Sequence, residues 1–167
     1  MLNILSKSRA RRQAAADLYA GIVGRAREPV FYTDFAVPDT IDGRFDLLAL
    51  HAWLVLERLS AANLNDLSQD LTNTIFVGFD EGLRDLGTGD MGMGRRIKTL
   101  ANAFYGRLSA YRAATDAAAM ESAVARNLYR GAQAGHEARI ARYAKNARAH
   151  LEAQDLSQGR IDFGSLP

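Results

Sequence analysis

The residues best suited to chemistry are few, because three histidines are the only imidazoles and there is no cysteine. His51, His136 and His150 have no partner four residues away, which is the spacing by which two histidines on one helix face bind a metal. The lack of cysteine excludes disulfides, thiolate zinc sites, iron–sulfur clusters and cysteine nucleophiles. We expect no metal site and no cofactor.

His51 and the pair Asp66 and Asp70 are the other candidates for catalysis. His51 lies in the most apolar segment, where a neutral imidazole bonded to a neighbour is favoured over a metal ligand or a general base. The carboxylates of Asp66 and Asp70 are four residues apart and suit magnesium or acid–base chemistry, but they fall on the polar side of their helix. No second acidic motif stands opposite them, and we expect a protein that is not an enzyme.

Glycines at positions 87, 89 and 92 match the spacing of a dinucleotide-binding loop. In that motif the glycines follow a strand and let backbone amides approach a pyrophosphate. Here the preceding segment has helical periodicity and no strand–helix–strand unit follows. The sequence therefore predicts a turn between two helices, in which glycine supplies positive φ angles.

Cations form two groups in the second half of the chain. The first follows the glycines at a helix start, where a phosphate or a partner carboxylate could bind, and it consists of Arg95, Arg96 and Lys98. The second has steps of three along the last helix and consists of Arg139, Arg142, Lys145 and Arg148. Both groups suit phosphate backbones or anionic headgroups, and both are equally typical of the solvated outer face of a bundle.

Charge is unevenly distributed along the chain, although the net charge is only +2. Residues 1–33 carry +4, residues 34–90 carry −8, residues 91–150 carry +8, and residues 151–167 carry −2. This asymmetry has two interpretations: a basic surface that meets an anionic partner, or oppositely charged helices packed against each other.

The length and apolar spacing predict an all-α fold, a single-domain bundle of about six helices. The chain has 167 residues of which 48% are hydrophobic, which is enough for one core. Apolar residues recur at steps of three and four in most segments, and none shows the alternation of a strand. Helices are predicted over 4–27, from Gly43 to Leu59, over 64–86 and from Arg95 to Tyr111. A fifth helix is predicted to begin after Asp116, and a sixth to end at Leu151.

Four boundaries complete this prediction. The helical domain covers 1–153, and 28–42 is an ordered loop anchored by its aromatic residues. Residues 87–94 form a glycine-rich loop, and 154–167 form a flexible C-terminal tail. Asp42 is predicted to cap the helix that contains His51, and Asp116 to cap a later one.

Two stretches resemble the ubiquinol-cytochrome c chaperone family. They are TIDGRFDLLALHAWLVLERLS at 40–60 and LSQDLTNTIFVGFDEGLRDLGTGDMGMGRRIKTLANAFYGRLSAY at 67–111. The resemblance lies in the order of G-R-F, L-H, R-L, L-S-Q, L-R-D-L-G, G-D and A-F-Y-G-R. These motifs concern fold and surface, and none is catalytic.

The resemblance implies a non-enzymatic assembly factor for ubiquinol-cytochrome c reductase that binds newly made cytochrome b. Mitochondrial members act beside the ribosome with a small helical partner protein. Because this sequence begins almost at its first helix, a bacterial cytoplasmic homologue is expected, with peripheral contact to the inner membrane as a further expectation. Candidate contact residues for the client or the membrane are the two cation groups together with Phe104, Tyr105 and Arg107, while core packing is the alternative for Phe104 and Tyr105.

A second function remains open at this stage. A basic helical adaptor would bind RNA, the ribosome or an anionic membrane surface without preferring a client. Sequence-specific reading of a nucleic acid is not expected, because aromatic residues for base stacking are scarce among the cations and Tyr143 stands alone.

Overall fold

The computed structural model describes residues 2–87 and 90–167, which form six long helices, one single-turn helix and no strand. The helices are α1 Leu2–Ala26, α2 Val30–Thr33, α3 Ile41–Ala61, α4 Asn65–Asp85, α5 Asp90–Ala113, α6 Ala117–Asn127 and α7 Glu137–Glu152. The prediction of an all-α bundle is confirmed.

Helix α3 is the centre of the bundle. It packs against α1, α4, α5 and α7, while α6 closes the far side between α5 and α7. Every residue from Ala49 to Leu56 is buried, which explains why the sequence of this helix is apolar on nearly all sides. Two polar residues of α3, Asp46 and His51, are also fully buried, so both need partners inside the protein.

The start of α3 differs from the prediction. The N-cap is Thr40, whose hydroxyl accepts a hydrogen bond from the Gly43 amide. Asp42 lies in the first turn and its carboxylate is bonded instead to the Arg130 guanidinium, at 2.8 Å. Asp42 still contributes negative charge at the helix start, but the capping bond comes from the residue two positions earlier.

Helix ends elsewhere follow the predicted signals. Asp116 caps α6 by accepting from the Ala119 amide, and Gly87 ends α4 with a φ of +77°. Gly131 and Gly135 likewise have positive φ in the turn between α6 and α7. The predicted glycine-rich loop is shorter than 87–94, because α5 begins at Asp90; positions 88 and 89 lie outside the described residues.

Aromatic side chains hold the segment between α1 and α3. Phe31 and Phe35 are buried, and the Tyr32 hydroxyl donates to the Ala26 carbonyl at 2.6 Å. From the other side of the bundle, the Tyr129 hydroxyl donates to the Phe35 carbonyl at 2.7 Å. These contacts place α2 against the core.

Residues 154–167 pack against the bundle, in contrast to the flexible tail predicted from the sequence. Leu156 and Phe163 are buried, and the Arg25 guanidinium of α1 donates to the Gly164 carbonyl. The Gln154 side chain bonds both the carbonyl and the amide of Asp162. The apolar residues of this segment are irregularly spaced and show no helical period, so the sequence pattern did not predict this packing.

The charge asymmetry of the sequence corresponds largely to pairing between helices. Arg11 of α1 bonds Asp66 and Asp70 of α4 at 2.8 and 2.6 Å, which accounts for that pair of carboxylates. Arg112 of α5 bonds Glu57 of α3 at 2.6 Å. The acidic middle of the chain is thus surrounded by its basic flanks.

The most deeply buried ion pairs surround Asp46. Its fully buried carboxylate forms ion pairs with Arg107 at 2.6 Å and with Arg130 at 2.7 Å. Arg107 is itself mostly buried and lies over the Phe45 ring, at 5.0 Å from the ring centroid. The cluster ties α3 to α5 and to the turn after α6.

Replacement of Asp46 tests this cluster. Asp46→Asn keeps the shape but leaves the Arg107 charge buried without a counter-ion, so we expect a loss of about 3–5 kcal/mol in the free energy of unfolding. Asp42→Asn is the matched control, because Asp42 bonds the same Arg130 at an exposed position, where a loss below about 1 kcal/mol is expected. Urea unfolding followed by helical circular dichroism measures both. Equal losses would contradict the central role of Asp46.

Candidate functional site

The His51 side chain is buried in the core, and both of its ring nitrogens are hydrogen-bonded there. The Nδ1 atom lies 2.8 Å from the Leu47 carbonyl oxygen and Nε2 lies 2.8 Å from the Tyr143 hydroxyl. A carbonyl can only accept, so Nδ1 carries the proton and donates to it, while Nε2 accepts from the Tyr143 hydroxyl. The rings of Phe31 and Phe163 pack edge-on against the imidazole. Both nitrogens are therefore engaged, as expected for a core histidine.

Burial of His51 sets its protonation state. Desolvation lowers the pKa of His51 from 6.5 to about 3, against the opposing effect of the Leu47 carbonyl. The neutral form is held at physiological pH, and no lone pair is free to accept a proton from a substrate or to bind a metal. Within residues 2–87 and 90–167, no group of three or more histidine or acidic side chains is placed to hold a metal ion.

Of the aromatic run on α5 that was predicted to contact a client, only Tyr105 reaches the surface. Phe104 is fully buried and Arg107 is bonded to Asp46, so neither forms part of a contact surface in this conformation. Tyr105 is 49% exposed and packs beside the Phe76 ring of α4, with centroids 5.8 Å apart. The buried pair follows from the helical period, because Phe104 shares its face with the core residues Leu108 and Tyr111 of α5.

The predicted cations lie on two separate surfaces. Those in the first turns of α5 are exposed: Arg95, Arg96 and Lys98. Those on α7 are also exposed, on the face opposite its buried stripe: Arg139, Arg142, Lys145 and Arg148. Arg139 lies over the Phe35 ring at 4.5 Å, and Arg148 is within 4.0 Å of Glu57.

An apolar groove that the sequence analysis did not predict opens between α1, α3 and α4. It has a volume of about 310 Å³. We call it the α1–α4 groove, and its lining residues are Tyr19, Val23, Ala26, Arg27, Tyr32, Ile41, Arg44, Phe45, Leu48, Gly78, Phe79, Gly82, Leu83 and Leu100. Most of these are apolar, and the cations Arg27 and Arg44 are the only charged ones.

Two glycines of α4 shape this groove. At Gly78 a side chain would collide with the Tyr19 hydroxyl, so this glycine permits the close packing of α1 on α4. At Gly82, one turn later, a Cβ atom would meet nothing within 4 Å. The groove is therefore open beside Gly82, one turn beyond the close contact at Gly78.

The chemistry of the groove is that of apolar contact. Ile41 lines it with 64% of its surface exposed, a large fraction for an isoleucine, and Phe45 and Phe79 form an aromatic wall with ring centroids 5.4 Å apart. Arg44 is bonded to Asp39 at 2.7 Å. An exposed apolar surface of this kind is typical of sites that bind apolar side chains of another molecule.

The buried histidine makes stability depend on pH. Because the folded state lowers the pKa of His51, its contribution to stability is complete above about pH 6.5 and is lost as the pH falls towards 3, by up to about 5 kcal/mol. We expect His51→Gln to show a flatter decline than the wild type between these pH values, because glutamine can still accept from Tyr143 but does not titrate. Urea unfolding at several pH values measures the difference. Parallel declines would contradict a buried neutral imidazole.

The family model described as ubiquinol-cytochrome C chaperone matches residues 33–160, more than three quarters of the chain. The crystal structure of the Cbp3 homolog from Brucella abortus matches with a TM-score of 0.85 and 35% identity, and the match covers 100% of both chains. No curated protein matches the sequence. The chain belongs to the ubiquinol-cytochrome c chaperone family.

Proposed function

We propose that this protein is a non-enzymatic chaperone that binds newly made cytochrome b during assembly of ubiquinol-cytochrome c reductase. The observation that carries the proposal is the family match over residues 33–160, which supports an assembly chaperone. Cytochrome b as the client is our inference from the family resemblance and from the kind of surface that the fold leaves open.

The α1–α4 groove is the proposed client site. An unassembled membrane protein presents apolar side chains that water does not solvate well, and the groove offers an apolar lining to cover them. Ile41 and Leu86 extend the exposed apolar surface at the α3 start and at the α4 end. Each Å² of apolar surface removed from water contributes about 25 cal/mol, so a few buried client side chains are enough for reversible binding.

Release requires no nucleotide. A chaperone of this kind binds the unassembled client and not the assembled one, because assembly buries the same client surface. The groove holds an apolar segment until the other subunits cover it, and the equilibrium then favours the free chaperone.

Filling the groove tests the client site. In Gly82→Leu the new side chain occupies open space, so we expect at least tenfold weaker association with cytochrome b. The measurement is the b-haem signal in reduced-minus-oxidised spectra of membranes, after each variant replaces the gene in the native host. Most of that signal should be lost with Gly82→Leu while other cytochromes are kept.

Gly24→Leu is the matched control. Gly24 is an exposed helical glycine at which a Cβ atom also meets nothing, but it does not line the groove. Both variants replace glycine within a helix, which adds about 0.5–1 kcal/mol of helix stability, so a loss of function cannot be attributed to unfolding. Normal cytochrome b with both variants would disprove the groove as the client site. Normal cytochrome b after deletion of the whole gene would overturn the proposed client.

We also propose peripheral contact with the cytoplasmic face of the inner membrane. The exposed cations at the start of α5 and on α7 support it, since each cation near an anionic surface contributes about 1 kcal/mol. Among residues 2–87 and 90–167, no helix is long and apolar enough to span a bilayer. Ribosome contact and a small helical partner stay predictions from the resemblance.

Charge reversal tests the membrane contact. We expect Arg95→Glu with Lys98→Glu to lower co-sedimentation with phosphatidylglycerol vesicles several-fold, and the wild type to lose binding as salt increases. Arg126→Glu with Arg160→Glu changes the net charge equally at other exposed positions and is the control. Equal loss of vesicle binding in both double variants would indicate that binding depends on net charge alone. Salt-dependent binding to RNA together with normal cytochrome b in Gly82→Leu would favour the adaptor function instead.

A further inference from the structure

A second cavity lies on the other side of α3, between the α5–α6 turn, α6 and α7. Its volume is about 510 Å³, within the range of small-molecule sites. No residue of the α1–α4 groove contributes to it. Its lining residues are Trp53, Ala114, Thr115, Asp116, Ala117, Met120, Glu121, Ala138, Ala141, Arg142, Lys145 and Arg148.

The inner part of this cavity is apolar. Met120 and Ala141 are buried, and Trp53 is 1% exposed. The Trp53 indole Nε1 atom is closed to solvent, so a ligand in the cavity would contact Trp53 only through its apolar atoms. This part of the cavity therefore suits a hydrocarbon chain.

The outer part of the cavity is predominantly basic. Arg142 and Lys145 lie one turn apart on α7 and have no ion pair within 4 Å among the described residues. Arg148, one turn further, is within 4.0 Å of Glu57 and 3.7 Å of Glu152.

Two acids also line the cavity. The Asp116 carboxylate accepts from the Ala119 amide at the start of α6, so it is committed to capping that helix. Glu121, on α6, is exposed. Two cations of α7 thus remain available to an anion.

We infer that this cavity binds an anionic amphiphile, a single acyl chain with a carboxylate or phosphate head. The chain would lie on Met120, Ala141 and the Trp53 ring, where it leaves water. The head would accept charge-assisted hydrogen bonds from Arg142 and Lys145. A cationic amphiphile of the same length has the same chain but meets repulsion at α7, so the site discriminates by the sign of the head.

The protein carries its own reporter for this site, because Trp53 is its sole tryptophan. Dodecanoate and dodecyl phosphate are titrated into the full chain below their micelle concentrations while the tryptophan emission is recorded. We expect a saturable change with either compound, and none with dodecyltrimethylammonium or with inorganic phosphate. Circular dichroism recorded in parallel should stay unchanged, since binding leaves the helices intact.

Variants test whether the change in tryptophan emission arises from binding in this cavity. Arg142→Glu with Lys145→Glu should weaken dodecanoate binding at least tenfold, because two attractions become repulsions. Ala138→Phe should weaken it similarly by filling the cavity from an exposed position on α7. The controls are Arg126→Glu with Arg160→Glu, which make the same charge change at exposed positions outside the cavity, and Gly82→Leu, which fills the other groove. Both controls should bind as the wild type does.

Several results would overturn the inference. An equal response to dodecyltrimethylammonium would remove the role of the cations, and a response to inorganic phosphate alone would leave only an anion site. A change of emission with phosphatidylglycerol vesicles but not with free dodecanoate would assign the basic face to a bilayer surface and not to a lipid in the cavity. None of these results bears on cytochrome b, so the inference and the proposed function fail separately.

Discussion

Helix α3 is enclosed by four other helices, so its two fully buried ionisable side chains, Asp46 and His51, need partners inside the protein. Asp46 meets this constraint with two arginines and His51 meets it with a carbonyl and a tyrosine hydroxyl. The carbonyl belongs to Leu47 of α3 itself, and the other partners come from α5, the turn after α6, and α7. The polar residues of the central helix therefore fix which surrounding elements face it, whereas apolar contacts alone would tolerate several arrangements.

A further residue of α3 contacts the C-terminal end of α7. Arg58, one turn before the end of α3, donates to the Leu151 carbonyl in the last turn of α7 at 3.0 Å and to the Gln154 carbonyl just beyond that helix at 2.8 Å. The chain then turns back, and Phe163 packs against His51. A side chain of the central helix thus holds the end of the last helix, and the terminal segment packs beside the buried imidazole.

The helices could be predicted from the sequence because their apolar residues repeat at the helical period and their ends carry glycine or aspartate. The place of His51 in the core, as a neutral imidazole bonded to a neighbour, followed from the apolar pattern of its segment. The α1–α4 groove could not be predicted, since it depends on how far apart two helices lie beyond Gly78. The packing of residues 154–167 could not be predicted because Phe163 contacts His51, more than 100 residues away in sequence. The buried ion pairs of Asp46 could have been predicted from the sequence, because a carboxylate within an apolar helix requires a buried cation.

The α1–α4 groove and the cavity beside Trp53 use different sides of α3. Leu48 lines the groove and Trp53 lines the cavity, and five residues of helix separate them by roughly 140° around the axis. A client segment and an amphiphile would therefore not compete for space. Helix α3 contributes side chains to both the groove and the cavity, and its residues from Ala49 to Leu56 are all buried and close-packed between them. The central helix therefore separates the two apolar openings of the bundle.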